Sequence, residues 1–212
     1  MNNTFFVTGI HTDAGKTIAS AFLQLTLDAD YWKPIQAGDL NFGDTERVQR
    51  YTGLPTERYH RPRHELQTPA SPHYAARLDG VEINLSDFEL PDTGGKPLIV
   101  EGAGGVLVPI NDRETILDLI AHLGLPVILV SRHYLGSINH TLLSIEVLRG
   151  RGCKVMGVLF SGGDDSPETV RIIKELSGVE VLGELPELEE LTSAQLRGLA
   201  AALGESVRTA LA

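Results

Sequence analysis

The chain has 212 residues, enough for one well-buried domain and short for two, so we expect a single domain over residues 1–212. With 42% hydrophobic and 22% charged residues, the composition is that of an ordinary folded protein rather than a disordered one. The formal net charge of −10, without any long run of Lys or Arg, argues against nucleic acid as a partner.

Short apolar runs alternate with amphipathic stretches, which predicts an α/β fold with a doubly wound, mostly parallel sheet and helices on both faces. In chain order, the strand candidates are residues 5–8, 98–100, 127–130, 155–160 and 179–182. Three stripes of apolar residues at helical spacing are expected to face the core: Ile18, Phe22 and Leu25; Ile138, Leu142, Ile145 and Leu148; and Leu196, Leu199, Leu203 and Val207.

Residues 39–97 interrupt this alternation, because the segment is rich in Pro, Gly, His and Arg and has few clear periodicities. We expect helices and loops there, lying over the functional face of the sheet. Short helices are predicted at residues 44–51 and 72–78, the second with Ser71 as its cap.

The strongest motif is a glycine loop, TGIHTDAGKT at residues 8–17, placed between an apolar strand and a helical stripe. Loop amides and a helix N-terminus can bind phosphate without steric bulk, Lys16 adds a positive charge, and the Thr17 hydroxyl can ligate Mg²⁺. Gly9 and Gly15 are separated by five residues where the usual P-loop has four, so the spacing departs from the standard motif. The strand, loop and helix order nevertheless predicts a P-loop NTPase-like fold.

Two further segments carry charged residues beside predicted strands. In LIVEGAGG, Glu101 is expected to end a buried strand and to project toward the phosphate loop, where a carboxylate can hold Mg²⁺. In YWKPIQAG, a short strand is expected next to the first strand and to end at Lys33, whose charge can stabilise a transferred group. A solvated carboxylate and a surface lysine are the alternatives.

Several polar residues carry no such signal on their own. Asp44 is one of 28 acidic residues, and the pattern around it does not single it out. His73, Asn139 and His140 lie near predicted helix starts, where helix capping is the alternative to a functional role.

The cysteine content and the N-terminal residues indicate the cellular compartment of the protein. Cys153 is the only cysteine, so an intramolecular disulfide is excluded and we expect the reducing cytoplasm. The first eight residues lead into a strand and a glycine loop without the features of an export signal. The longest apolar runs fall below the roughly 18 to 20 residues of a membrane-spanning helix, so we expect no membrane partner.

Five segments in order resemble the dethiobiotin synthetase family, over most of the chain: VTGIHTDAGKT at 7–17, WKPIQAG at 32–38, SPH at 71–73, VEGAGG at 100–105 and LGSINHTLL at 135–143. The resemblance implies a homodimeric C–N bond-forming ligase of biotin synthesis. Such an enzyme uses ATP and Mg²⁺ to convert 7,8-diaminononanoate and CO₂ to dethiobiotin. An amine takes up CO₂ as a carbamate, ATP phosphorylates the carbamate, and the second amine closes the ring with loss of phosphate.

The resemblance also assigns roles to individual residues. Mg²⁺ is held by Thr17, Asp44 and Glu101, and the nucleotide by Thr12, Asp13, Ala14, Gly15, Lys16, Thr17 and Ile18. Lys33 and Lys16 are catalytic, with Lys33 contacting the carbamate and the transferred phosphoryl group. The substrate contacts Thr12, Lys33, Ala37 and Gly104, while its carboxylate meets a helix N-terminus across the dimer interface, formed by Gly136, Ser137, Ile138 and Asn139.

Two positions depart from the family pattern. Ala37 stands where a small hydroxyl residue near the carbamate is expected. Ser161 stands where the family often has an Asn that reads the base edge, and a hydroxyl cannot supply both the donors and the acceptor of an amide. We therefore place Ser161 beside the nucleotide and expect other nucleoside triphosphates to be accepted as well as ATP.

Two other classes share the glycine loop. A glutamine-dependent amidotransferase or ligase of the cobyrinate-synthesis kind needs a nucleophilic cysteine in a Gly-rich turn, which Cys153 lacks, and a longer chain. A deviant P-loop ATPase that acts as a dimer switch generally has an early lysine in the loop, where this sequence has Ile10 and His11.

Overall fold

The computed structural model describes residues 4–162, 166–187 and 192–212. Residues 1–3, where the sequence predicts no export signal, lie outside that range. The strands in this part of the chain are β1 Thr4–Gly9, β2 Asp30–Trp32, β3 Ile35–Ala37, β4 Tyr59–His60, β5 His64–Leu66, β6 Leu98–Gly105, β7 Val127–Arg132, β8 Val155–Ser161 and β9 Val181–Leu185. The helices there are α1 Lys16–Leu27, α2 Asp44–Thr52, α3 Pro72–Asp79, α4 Ile116–Leu123, α5 Ser137–Gly150, α6 Pro167–Ser177 and α7 Ser193–Leu211.

One parallel sheet organises the fold. Across the described residues it has seven strands in the order β4-β2-β6-β1-β7-β8-β9, and β3 pairs with β5 in a separate small sheet. Neighbouring residues of β1 belong to different cores: Phe6 packs in one buried cluster, whereas Phe5 and Val7 pack in the other. Both faces of the sheet are therefore covered, which confirms the predicted doubly wound α/β fold. The single-domain organisation stays a prediction.

Most predicted elements lie where the sequence places them, including the helices at 44–51 and 72–78. The strand predicted at 179–182 begins two residues later, at Val181. Ser71 precedes α3, but its hydroxyl contacts His73 Nδ1 at 3.1 Å and makes no capping hydrogen bond. The helices α4 and α6 are not predicted by the sequence patterns. The segment 39–97 also contributes β4 to the main sheet, which was not expected.

Two strand predictions near the functional face are wrong. The strand before Lys33, β2, pairs with β4 and β6 rather than with β1, because the later strand β6 lies between them. Glu101 does not end its strand, since β6 continues to Gly105 by pairing with β1 through an irregular register. On its other side, however, β6 pairs with β2 only as far as Val100. Glu101 is therefore the first residue of β6 after its pairing with β2 ends.

Asp30 anchors the start of β2 with a buried carboxylate. Arg58 donates from Nε to Asp30 Oδ1, and His60 Nε2 lies 3.3 Å from Asp30 Oδ2. We expect Asp30→Ala to lower the free energy of unfolding by about 2 kcal/mol in urea denaturation, because it removes the buried carboxylate that accepts from Arg58 Nε, and a hydrogen bond between charged groups contributes about 1.5 to 3 kcal/mol. Asp28→Ala is the matched control, since Asp28 bonds the same Arg58 but its side chain is 76% exposed. Its expected loss is under about 1 kcal/mol, and equal losses in the two variants would contradict the prediction.

Candidate active site

The phosphate loop joins β1 to α1 and depends on Gly15. Gly15 has φ of 91°, and a β-carbon there would lie 2.1 Å from Ser161 Oγ, so a side chain at this position is excluded by both conformation and space. The loop then turns directly into α1, which begins at Lys16. Backbone amides at the start of a helix are free to bind an anion, and the local geometry therefore suits a phosphate group.

Lys16 lies inside this loop. Its side chain is almost fully buried, and Nζ donates to the carbonyl oxygens of Thr12 at 2.9 Å and His11 at 3.3 Å. Burial, followed by the positive charge of Lys33, lowers the pKa of Lys16 to about 8. The ammonium form still predominates at neutral pH, so the loop presents a positive charge to an incoming anion.

Three oxygen atoms from distant parts of the chain converge beside Lys16. Thr17 Oγ1 donates to Asp44 Oδ1 at 3.1 Å and to Glu101 Oε1 at 3.4 Å. No cluster of three His, Cys, Asp or Glu side chains suited to a metal occurs in the described ranges, but this set combines two carboxylates with a hydroxyl. Mg²⁺ prefers such oxygen ligands and commonly takes only one or two carboxylates, with water and phosphate completing its shell. The residues therefore fit Mg²⁺.

Lys33 contacts both carboxylates of this group. Its Nζ lies 2.7 Å from Asp44 Oδ2 and 3.0 Å from Glu101 Oε1, and it donates to the Gly102 carbonyl oxygen at 3.2 Å. Burial alone would lower the pKa of Lys33, but the charges of Glu101 and Asp44 outweigh it and hold that pKa above its ordinary value. Conversely, burial would raise the pKa of Asp44, but Lys33 and its hydrogen bonds keep it below its usual range. The site thus holds a charged lysine between two carboxylates.

Tyr31 completes the group, although no motif in the sequence singled it out. Its hydroxyl donates to Glu101 Oε2 at 3.1 Å, and both residues are almost completely buried. Burial, and then the negative charge of Glu101, raise the pKa of Tyr31 well above its ordinary value, so it remains a donor. The signal in the sequence is alternation, because Tyr31 and Lys33 are two residues apart and can project to one face of an extended segment.

One cavity of about 660 Å³ brings most of the predicted site residues together. Its walls include Thr12, Asp13, Gly15, Lys16, Thr17, Ile18, Lys33, Ala37, Asp44, Glu101 and Gly104. Ala14 is fully buried within the loop and does not line the cavity. The cavity also has polar walls that the sequence did not indicate, formed by Gln36, Asp39, Arg47, Ser71 and Arg132.

The remaining predicted residues lie outside this cavity. Ser161 packs its hydroxyl against Gly15 and is 6% exposed. Gly136, Ser137, Ile138 and Asn139 form the start of α5, without a capping side chain, beyond the carboxyl end of β7. Asn139 and His140 therefore do not cap that helix, and His140 Nδ1 instead contacts the Tyr134 hydroxyl. These residues are not brought to the cavity of their own chain.

The start of α5 carries an apolar surface. Leu135, Ile138 and Leu143 are exposed, Leu135 completely, and Leu143 borders an apolar groove together with Leu107. The expectation that Ile138 faces the core is therefore wrong, because its side of the first turn of α5 lies at the surface. His11 of the phosphate loop reaches the same region, because its ring packs edge-on against Tyr134 at 5.1 Å between centroids. This apolar surface is therefore continuous with the phosphate loop.

The phosphate loop, its buried lysine and the adjacent oxygen cluster define a P-loop nucleotide-dependent protein. A family model described as an AAA domain matches residues 3–195. Solved structures share the fold: a ParA family ATPase from Chlorobium tepidum has TM-score 0.56 and 12% identity, covering 99% of this chain and 93% of that one. The cell division ATPase MinD from Pyrococcus furiosus has TM-score 0.53 and 15% identity, covering 99% of both chains.

Sequence relatives define the particular family. The chain is 48% identical to the ATP-dependent dethiobiotin synthetase BioD of Afipia carboxidovorans, over 93% of each chain. It is 49% identical to the protein of that name from Christiangramia forsetii, over 88% of this chain and 89% of the relative. The chain belongs to the ATP-dependent dethiobiotin synthetase family. The predicted ATP-dependent, C–N bond-forming ligase is thereby confirmed. The dimer-switch alternative is not favoured, because the similarity of this chain to the ParA and MinD structures, at 12–15% identity, shows the fold alone.

Among the described helices, none combines the length and apolar character needed to cross a bilayer.

Proposed function

We propose that the cavity around Lys33 converts 7,8-diaminononanoate and CO₂ to dethiobiotin, with ATP as phosphoryl donor and Mg²⁺ held by Thr17, Asp44 and Glu101. The observation that carries this proposal is the convergence of Lys33 with these three oxygen ligands beside the phosphate loop. Mg²⁺ bound there would neutralise phosphate charge and orient the phosphate oxygens. The reaction needs a cation beside the phosphoryl group, and Lys16 and Lys33 both line the cavity.

The protein's part in this reaction is to position reactants and neutralise charge. The loop amides and Lys16 bind the phosphates of the nucleotide, and Lys33 stabilises the negative charge on the carbamate and the transferred phosphoryl group. Phosphorylation turns a carbamate oxygen into a good leaving group, so the second amine can attack the carbon and expel phosphate. Ala37 offers no hydroxyl on the cavity wall, but the wall also includes Ser71, which can supply one.

The proposal is tested by measuring phosphate release from ATP with Mg²⁺, with and without 7,8-diaminononanoate plus bicarbonate, and by detecting dethiobiotin by mass spectrometry. We expect phosphate release that depends strictly on the diamine and accompanies product formation. Hydrolysis without diamine and without product would contradict the proposal and point to a nucleotide switch. Omitting Mg²⁺ from the complete mixture tests the metal, since the turnover is expected to fall to background.

Nucleotide selectivity is expected to be low. The Ser161 hydroxyl is buried against Gly15 and cannot offer the base both the donors and the acceptor of an amide. Strong selectivity requires that a wrong base leave polar groups of the site without hydrogen-bond partners, and Ser161 does not provide such groups. We therefore expect the kcat/KM values for CTP and GTP to lie within about tenfold of that for ATP, measured by dethiobiotin formation. A preference for ATP above about 1000-fold would contradict this prediction.

The apolar surface around Leu107, Leu135, Ile138 and Leu143 supports a homodimer, because a second copy would cover side chains that are otherwise in water. In that dimer the helix N-terminus at Gly136–Asn139 would meet the substrate carboxylate of the partner's cavity. Sedimentation analysis is expected to give a dimer, and a monomer at micromolar concentration would contradict this arrangement.

A further inference from the structure

Tyr31 and Glu101 are neighbours on one face of the sheet. In the parallel pairing of β2 with β6, Tyr31 is aligned with Ile99, and Glu101 follows Ile99 by two residues. Because side chains alternate along a strand, the side chains of residues 31, 99 and 101 point to the same face. The pairing of two strands, rather than a loop, therefore sets the position of the Tyr31 hydroxyl relative to the carboxylate.

The two oxygens of Glu101 have different partners. Oε1 accepts hydrogen bonds from Lys33 at 3.0 Å and from Thr17 at 3.4 Å, on the side of the phosphate loop. Oε2 accepts from the Tyr31 hydroxyl at 3.1 Å, on the side of the core. A hydrogen bond to one oxygen restricts rotation of the carboxylate about its last bond, and this restriction keeps the other oxygen directed at Thr17 and Lys33.

The core around Tyr31 reinforces this restriction. Tyr31 is fully buried, and its ring lies against Tyr59 with 6.2 Å between centroids. Since a fully buried ring in a close-packed core has little freedom to change rotamer, its hydroxyl is held in place. Residues that hydrogen-bond a metal ligand and fix its orientation commonly alter metal affinity without touching the metal.

We propose that Tyr31 is a positioning residue, which acts through Glu101 by fixing the oxygen that contacts Thr17 and Lys33. This inference rests on the proposed Mg²⁺ site and adds to it a residue that touches neither substrate nor metal. Tyr31→Phe removes the hydroxyl while it keeps the ring that fills the core. Glu101 then keeps its two contacts through Oε1 but loses the Tyr31 hydrogen bond to Oε2.

The experiment titrates Mn²⁺ into the ADP-loaded full chain and follows binding by the EPR signal of free Mn²⁺. We expect the Mn²⁺ affinity of Tyr31→Phe to fall about tenfold, with the affinity for ADP in the absence of metal unchanged. Tyr59→Phe is the matched control, because its hydroxyl contacts Thr52 rather than the site and it loses a hydroxyl of the same kind. Its Mn²⁺ affinity is expected to equal that of the wild type.

The outcomes separate positioning from packing. If Tyr31→Phe lowers the Tm and leaves the Mn²⁺ affinity unchanged, Tyr31 serves only the core and the proposal is wrong. If the wild type binds Mn²⁺ and Tyr31→Phe weakens it, but no dethiobiotin forms in either protein, the positioning role stands and the proposed reaction fails. A wild type that binds no Mn²⁺ would overturn both.

Discussion

Replacing Glu101 with alanine is expected to lower the turnover about 1000-fold and to abolish its dependence on Mg²⁺. Glu101 is 1% exposed and supplies one of the two carboxylates beside Thr17. A metal that stabilises transition-state charge contributes several kcal/mol, and each 1.36 kcal/mol corresponds to a factor of about ten in rate. The measurement is the initial rate of dethiobiotin formation over a series of Mg²⁺ concentrations.

The control for Glu101→Ala is Glu65→Ala, which removes a half-exposed carboxylate on β5 that pairs with Arg61. Its turnover and Mg²⁺ dependence are expected to match the wild type. Loss of folding is separated from loss of chemistry by comparing the Tm of the two variants. If high Mg²⁺ restores wild-type turnover to Glu101→Ala, then Glu101 affects only metal affinity, and the expected 1000-fold loss of turnover is wrong.

The parts of the site that depend on local sequence could be predicted, and the parts that depend on strand order could not. Gly15, Lys16 and Thr17 are neighbours in the chain, and their order between a strand and a helix indicates a phosphate loop without any tertiary information. Glu101 was located by a similar local pattern, an acidic residue after an apolar run. Its strand, however, continues four residues further because it pairs with β1, a contact that its own sequence does not reveal.

The partners of Lys33 illustrate the limit of sequence reasoning. Asp44 lies 11 positions from Lys33 and Glu101 lies 68 positions from it, so their contacts depend on how β2 is placed in the sheet. The strand before Lys33 was expected beside β1, whereas β6 lies between them. Only the resemblance to a family identified Asp44. Tyr31 was not predicted, because a tyrosine in a buried strand usually only packs in the core. Its hydroxyl gains a role only because the Glu101 carboxylate lies beside it.

Replacing Lys33 with glutamine is expected to lower kcat about 100- to 1000-fold, the usual loss when one preorganised donor to a developing charge is removed. Lys33 is buried and charged, and its Nζ lies within 3.0 Å of oxygens of both Asp44 and Glu101. A charge in a water-excluded site interacts more strongly than one in solvent, which makes its loss costly. The measurement is kcat and KM for ATP and for 7,8-diaminononanoate.

Lys33→Gln also leaves two carboxylates without their cation, so a folding or metal effect must be separated from a catalytic one. Lys174→Gln is the control, because Lys174 is an exposed lysine that pairs with Glu180 away from the site, and its kcat is expected to be unchanged. Direct Mn²⁺ titration of ADP-loaded Lys33→Gln then gives the metal affinity independently of turnover. A low kcat with retained Mn²⁺ affinity and Tm assigns Lys33 to the reaction itself, whereas near-normal turnover would remove it from the mechanism and leave it as the counter-ion of a buried carboxylate pair.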